Sequence, residues 1–178
     1  MIRIGSAVLI ALTLPIQSCA SQDTPTAPPE LSSDAVAPGL PSDAVAVEFE
    51  PVVELSRMLI GGPQEATRSV VRDERSWLEF WRALTAVVSP APEPPTVDFT
   101  ANMVLVAAMG RRSTGGHAIS IEGVYTSDGT LYVDVLERSP GVGCFSAQVI
   151  TTPVTAVRVR VHDGSVQFVT REESGPCD

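Results

Sequence analysis

Two Asp-Gly pairs, Asp128-Gly129 and Asp163-Gly164, each stand between runs in which apolar and polar residues alternate. Before the first pair, Ile119 and Ile121 alternate with Ser120 and Glu122; after it, Leu131, Val133 and Val135 alternate with Tyr132 and Asp134. Before the second, Val157, Val159 and Val161 alternate with Arg158 and Arg160, and Val166 and Phe168 follow it. A period of two places one face of a strand in a core, and Asp-Gly tolerates the positive φ of a tight hairpin turn. The pattern therefore predicts two hairpins. Met103 to Met109 is apolar without interruption, as in a central strand covered on both faces. Val52, Val53, Leu55, Met58, Leu59 and Ile60 predict a further strand, closed by Gly61-Gly62-Pro63.

One helix stands among these strands. Ser76-Trp77-Leu78-Glu79 has the spacing of a capping box, and Trp77, Phe80, Trp81, Leu84 and Val88 follow as one apolar stripe. Ser89-Pro90 closes it. Both tryptophans lie on the stripe, which predicts core packing rather than a groove. The expected architecture is mainly β: an antiparallel sandwich or rolled sheet of about six or seven strands, with one amphipathic helix packed on it.

The N-terminus reads as an address. Arg3 precedes the apolar run Ile4 to Leu14, too short to span a bilayer and typical of a signal peptide over residues 1–18. Ile16-Gln17-Ser18-Cys19 resembles the bacterial lipobox, which implies cleavage before Cys19 and acylation of that residue. The alternative is an ordinary secretory peptide cut nearby. No Asp follows Cys19, which by the usual sorting rule favours the outer membrane of the bacterial cell envelope over the inner one. Residues 19–47, with Pro25, Pro28, Pro29, Pro38 and Pro41 among small polar residues, read as a tether that cannot bury enough surface to fold. The β-rich domain is expected over residues 48–178.

Composition removes several functions. The net charge is −9, which argues against nucleic acid as a partner. All twelve cations are Arg, so no lysine chemistry is available. His117 and His162 would have to supply any catalytic base, and no Gly-x-Ser-x-Gly motif accompanies them. His162 precedes Asp163-Gly164 and is expected at a solvated hairpin tip. The chain is read as no enzyme, with no metal and no cofactor. In an oxidising compartment Cys144 and Cys177 are expected to form a disulfide, which leaves Cys19 for lipid.

If the strands about Asp128-Gly129 pair, the start of one lies beside the end of the other. Arg111-Arg112-Ser113-Thr114-Gly115-Gly116 then meets Glu137-Arg138-Ser139-Pro140-Gly141-Val142-Gly143-Cys144 at one end of the sheet. Two Gly-rich loops with three arginines on a rigid sheet suit recognition. Equally, the glycines could serve only as turns and the arginines only as a soluble rim.

Val97-Asp98-Phe99, Met103 to Val106, Thr114 to Ile121, Ser139-Pro140-Gly141 and Gln148 to Pro153 follow one another in the order and spacing of a known family. Over about residues 66–162 the chain resembles the PrcB-like C-terminal domain of bacterial protease-complex-subunit lipoproteins, whose opening helix the Trp77–Trp81 segment also matches. His117 departs from the aromatic residue, usually Tyr, that the family has after its paired glycines. The resemblance implies a non-catalytic lipoprotein module that binds or assembles an extracytoplasmic protein partner, a protease complex among the possibilities. Arg111, Arg112, Ser113, Thr114, Gly115, Gly116, His117, Arg138, Pro140 and Gly141 are its expected contact residues, and the bilayer is a second partner through acylated Cys19. The alternative is a protease-inhibitor-like β-sandwich, since Ser113-Thr114-Gly115-Gly116 resembles the Thr-Gly-rich loops of Ig-like inhibitors of cysteine proteases; no third loop is identifiable in the sequence.

Overall fold

The computed structural model describes residues 39–52 and 61–175. The lipobox with Cys19, the tether up to residue 38, most of the strand expected from Val52 to Ile60, and Cys177 lie outside them. The described elements are β1 (Val45–Ala46), β2 (Phe49–Pro51), β3 (Thr67–Val71), α1 (Glu74–Thr85), β4 (Asn102–Ala108), β5 (Ala118–Ser127), β6 (Thr130–Pro140), β7 (Val154–Arg160) and β8 (Val166–Gly175). They form two four-stranded sheets, ordered β1-β5-β6-β8 and β2-β7-β4-β3. The mainly β class holds, with eight strands among the described residues; β1, β2 and β3 have no counterpart among the runs read as strands from the sequence. β1 and β2 belong to one extended run that pairs with β5 and then crosses to β7. Val45 and Ala46 thus lie in a sheet although the composition placed them in the tether, and Asp43 accepts a hydrogen bond from Ser127 Oγ at 3.0 Å.

The central position of β4 explains its unbroken apolar run. Met103, Leu105 and Ala107 face the other sheet, among Ile119, Ile121, Val124, Leu131, Val133, Val135, Val157 and Val159. Val104, Val106 and Ala108 face the opposite way, against Trp77, Trp81 and Leu84 of α1. The fold therefore has three layers: helix, sheet and sheet. The helix stripe is core, as its spacing predicts. Its indole N–H groups donate to carbonyls of the Pro-rich stretch beyond the helix, Trp77 to Pro95 at 3.0 Å and Trp81 to Pro92 at 2.8 Å.

The helix start differs from the capping-box reading. Asp73 is the N-cap, accepting from Ser76 N–H at 2.9 Å, so Ser76 closes that turn instead of opening the helix. A carboxylate accepts such a bond better than a hydroxyl and complements the helix dipole. The same bond holds the Asp73 carboxyl below its ordinary range. The helix ends at Thr85, which leaves Val88 outside it and exposed.

The first Asp-Gly pair makes its hairpin, with Asp128 at φ 47° and Gly129 at φ 72°, and β5 pairs antiparallel with β6. The second does not. β7 lies in one sheet and β8 in the other, where β8 runs parallel to β6. Residues 161–165 cross between the sheets, so the expected second hairpin is replaced by a sheet-to-sheet connection. Among the described residues Asp163 is not at positive φ, so this Asp-Gly never adopts the conformation a two-residue hairpin requires. The connection is tied instead to the tip of the first hairpin: Leu131 N–H donates to Ser165 O at 2.9 Å, and His162 Nε2 lies 3.0 Å from Gly129 O. His162 is accordingly half-buried against that tip, not free in solvent as expected. Arg171 of β8 grips the buried Asp134 of β6 with two 2.9 Å bonds, which fastens the parallel pair from its outer face.

Candidate functional site

The β5–β6 ladder brings the two Gly-rich loops together. Ala118 pairs with Arg138, so the residues before β5 lie beside those that end β6. Gly116, at φ 82°, is so close to Pro140 that a Cβ there would lie 2.9 Å from the proline Cγ. Glycine is required on both counts. His117 then clasps the loops: Nε2 is 3.2 Å from Thr114 Oγ1 and Nδ1 is 3.2 Å from Ser139 Oγ. A tyrosine here could not make both contacts, because its single hydroxyl lies at the far end of the ring.

The expected contact residues divide by what they touch. Arg111, Ser113, Gly116 and Arg138 are exposed. Arg138 has a 3.6 Å ion pair with Glu173, and both are about half exposed, so the pair contributes little to stability. Arg112 turns inward. Its Nη2 lies 3.8 Å from Glu137, and its Nε is buried without a hydrogen-bond partner among the described residues. It is thus a part of the scaffold as well as of the loop. Thr114 and Pro140 are half-buried, Gly115 is buried, and Gly141 lies against Gly175, where a Cβ would meet the Gly175 carbonyl oxygen at 2.6 Å.

Glu137 is the hub beneath this end. It continues the inward series Leu131, Val133, Val135 and is buried, with an ion pair to Arg68 of β3 and the longer one to Arg112. Arg68 also donates to Ala108 O at 2.9 Å. One carboxylate therefore joins strands of both sheets to the first Gly-rich loop. The parity of β6 put Glu137 on the buried face from the start, and that was the available sequence signal.

A third strip of chain, residues 144–151, lies beside the two loops. Gly115 N–H donates to Ala147 O at 2.9 Å, Arg112 and Thr151 exchange backbone bonds at 2.8 and 3.1 Å, and Thr151 Oγ1 donates to Thr114 O at 3.0 Å. Between this strip and the start of β5 is a cleft of about 210 Å³, lined by Gly115 to Ile119, Val149 and Thr151 to Val154. The strip was not legible as a third loop, because it lacks periodicity and its partners are distant in sequence. Cys144 is disulfide-bonded, and its Sγ lies 3.2 Å from the Cβ position of Gly141.

Burial, and secondarily the Arg112 cation, hold the His117 imidazole below its ordinary value of about 6.5. The folded protein takes this proton less readily than the unfolded chain, so the contribution is complete above about pH 6.5 and is lost as pH falls below it. Stability measured by urea unfolding should decline from pH 7.5 to pH 5. His117→Gln should flatten that slope; an equal slope in both proteins would contradict the clasp.

The described elements form a helix-backed β-sandwich whose loops converge at one end on a charged hub. Residues 103–160, from β4 through β7 and including all three loop strips, match the PrcB C-terminal family model. The match suggests a family of protease-complex-associated subunits. No curated protein and no solved structure matches the chain.

Proposed function

We propose that the chain is a non-catalytic lipoprotein of the bacterial cell envelope, anchored through acylated Cys19 in the outer membrane, that binds or assembles an extracytoplasmic protein partner such as a protease complex. The observation that carries this reading is the meeting of the two Gly-rich loops, clasped by His117, at one end of a rigid sandwich. Loops held by a rigid sheet cost little to order on binding. Gly39 lies against Val169, and Asp43 accepts from Ser127 near the hairpin tip, away from the loop end. Arg111, Ser113, Gly116 and Arg138 offer the contacts, while Arg112, Thr114, Gly115, His117, Pro140 and Gly141 give the surface its shape.

The Cys144–Cys177 disulfide belongs to the same reading. β8 delivers Gly175 to Gly141, beside Cys144, two residues before Cys177. The inhibitor-like alternative gains from the third strip, which supplies the extra loop that the sequence did not reveal.

The test is a pull-down from native membranes with the mature protein, against an Arg111→Ala/Arg138→Ala variant. The expected result is one partner, lost by at least tenfold from the variant at unchanged melting temperature. Equal recovery by both proteins would refute the docking face. Mass spectrometry of the N-terminal peptide should find acyl chains on Cys19, and an unmodified thiol would refute the anchor. Inhibition of a papain-type protease by the purified domain would favour the alternative.

A further inference from the structure

β1 covers only one end of the outer edge of β5. Val45 and Ala46 pair with Thr126 and Tyr125, Val47 N–H donates to Val124 O at 2.8 Å, and the chain then leaves for β7. A bulge at Glu122 separates that covered part from the start of the strand. From Ala118 to Ile121, β5 pairs with β6 on one side and, among the described residues, with nothing on the other. Alternate N–H and C=O groups there face outward without partners, an arrangement that an added strand completes. Two further features stand at the start of this edge. One is the cleft of about 210 Å³, walled by Ile119 of β5, by Val149 and Thr151 of the third strip, and by Val154 where β7 starts. It is smaller than the roughly 300–1,000 Å³ of small-molecule sites, so it suits one side chain rather than a cofactor. The other is a pair of successive amides, Gly116 N–H and His117 N–H, neither of which donates to an acceptor among the described residues. Both residues line the cleft, and Gly116 is left-handed. Successive amides at such a turn form a concavity that receives an anion.

We infer that this edge binds the free C-terminal tail of the protein partner. The tail adds to β5 as an antiparallel strand, its last side chain, an apolar one, fills the cleft, and its terminal carboxylate accepts from Gly116 and His117 N–H. This deepens the binding role proposed above and rests on it. The direction follows from geometry. β1 lies antiparallel on β5, and a tail that continues along the line β1 leaves at Val47 ends beside Ala118, next to the glycines. The carboxylate follows from the amides and not from a cationic field. Arg112 and Arg138 are already paired with Glu137 and Glu173, and Arg111, whose N–H donates to Gln64 O, has the exposed Glu65 close by. None of the residues lining the cleft is acidic. Glu172 and Glu173 lie on β8, two strands and roughly 10 Å from this edge. Glu122 stands at the far end of the free stretch, roughly 14 Å along the strand from Ala118. An internal segment of a partner, or the same edge of a second copy, would supply a strand but would offer the two amides no terminal anion.

The experiment screens the full-length lipoprotein, held in detergent micelles, against a library of short random peptides with free carboxyl ends. The expected result is a set of binders that share Val, Leu, Ile or Phe as the last residue. Their affinity should fall at least tenfold when the terminal carboxylate is replaced by a carboxamide. Val149→Trp, which fills the cleft from an exposed position, should weaken the same peptides at least tenfold at unchanged melting temperature. The Gly116 and His117 amides should exchange fast in the free protein and slowly with peptide bound. No enrichment, equal affinity of carboxylate and carboxamide, or slow exchange of every amide from Gly116 to Ile121 in the free protein overturns the inference. The pull-down described above separates the two claims. A partner captured by the native protein and lost from the Arg111→Ala/Arg138→Ala variant, without carboxylate-dependent peptides, leaves the docking face standing and removes the tail site. Neither partner nor peptide removes both.

Discussion

Trp77→Ala should lower the stability of the domain by about 3–5 kcal/mol, the range for emptying a large aromatic from a core. Trp77 is 2% exposed, stacks on Phe80 with ring centroids 5.9 Å apart, and sits 5.7 Å from the Trp81 ring. Its removal opens a cavity between α1 and the central strand β4, and it leaves the Pro95 carbonyl without its indole donor. Domains of this size are stable by about 5–15 kcal/mol in all, so the variant would stand near its unfolding limit. Urea unfolding with an unchanged m-value is the measurement. Trp77→Phe should recover part of the loss, because it fills much of the volume without restoring the hydrogen bond. A loss of less than about 1 kcal/mol from Trp77→Ala would mean that the helix layer contributes little to the fold.

Glu137→Ala should be comparably damaging, by about 3–5 kcal/mol, because removing one partner of a buried ion pair leaves uncompensated charge. In this case two guanidinium groups, Arg68 and Arg112, lose the anion between them. Arg112 is the more exposed of the two and is screened accordingly, so most of the effect falls on Arg68. Replacing the pair together, as Arg68→Met with Glu137→Leu, should restore much of the stability, since apolar packing can substitute for a buried pair. The two variants should still differ from the native protein in one respect. Without Glu137 the first Gly-rich loop loses one of its ties to the scaffold, so the Gly115 and Gly116 amides should exchange faster even when global stability is restored. Native exchange rates at those amides in the double variant would show that the hub holds the sheets but not the loop.

Much of this fold could be read locally. The alternation of β5 and β6 and the positive-φ tolerance of Asp128-Gly129 fix a hairpin, because every residue involved lies within about twenty positions of the turn. The ladder then forces residues 111–116 and 137–144 to the same end, and that is where the coordinates place them. The apolar run of β4 announced burial on both faces for the same reason. The helix stripe was legible although its start was misplaced, since Asp73 and Ser76 both make good caps and only the backbone shows which one is used.

Asp163-Gly164 shows where local reading stops. Its flanks alternate like those of the first pair, yet β7 and β8 go to different sheets. The free energy that separates a hairpin from a crossover lies in long-range pairing, of β7 with β4 and of β8 with β6, and no property of the turn itself encodes it. The third strip and the Arg68–Glu137–Arg112 hub belong to the same category. Arg68 meets Glu137 across 69 positions of sequence, and Thr151 meets Thr114 across 37.

Periodicity and turn chemistry act between neighbours along the chain, so the amino-acid sequence alone determined strands β4 to β8, most of the helix, the first hairpin and the meeting of its two flanking loops. Burial and ion pairing act between residues that are neighbours only after the sheets have stacked. Tertiary structure alone therefore decided which arginine turned inward, which strip of chain joined the loops, and that Phe145 would be left standing in solvent.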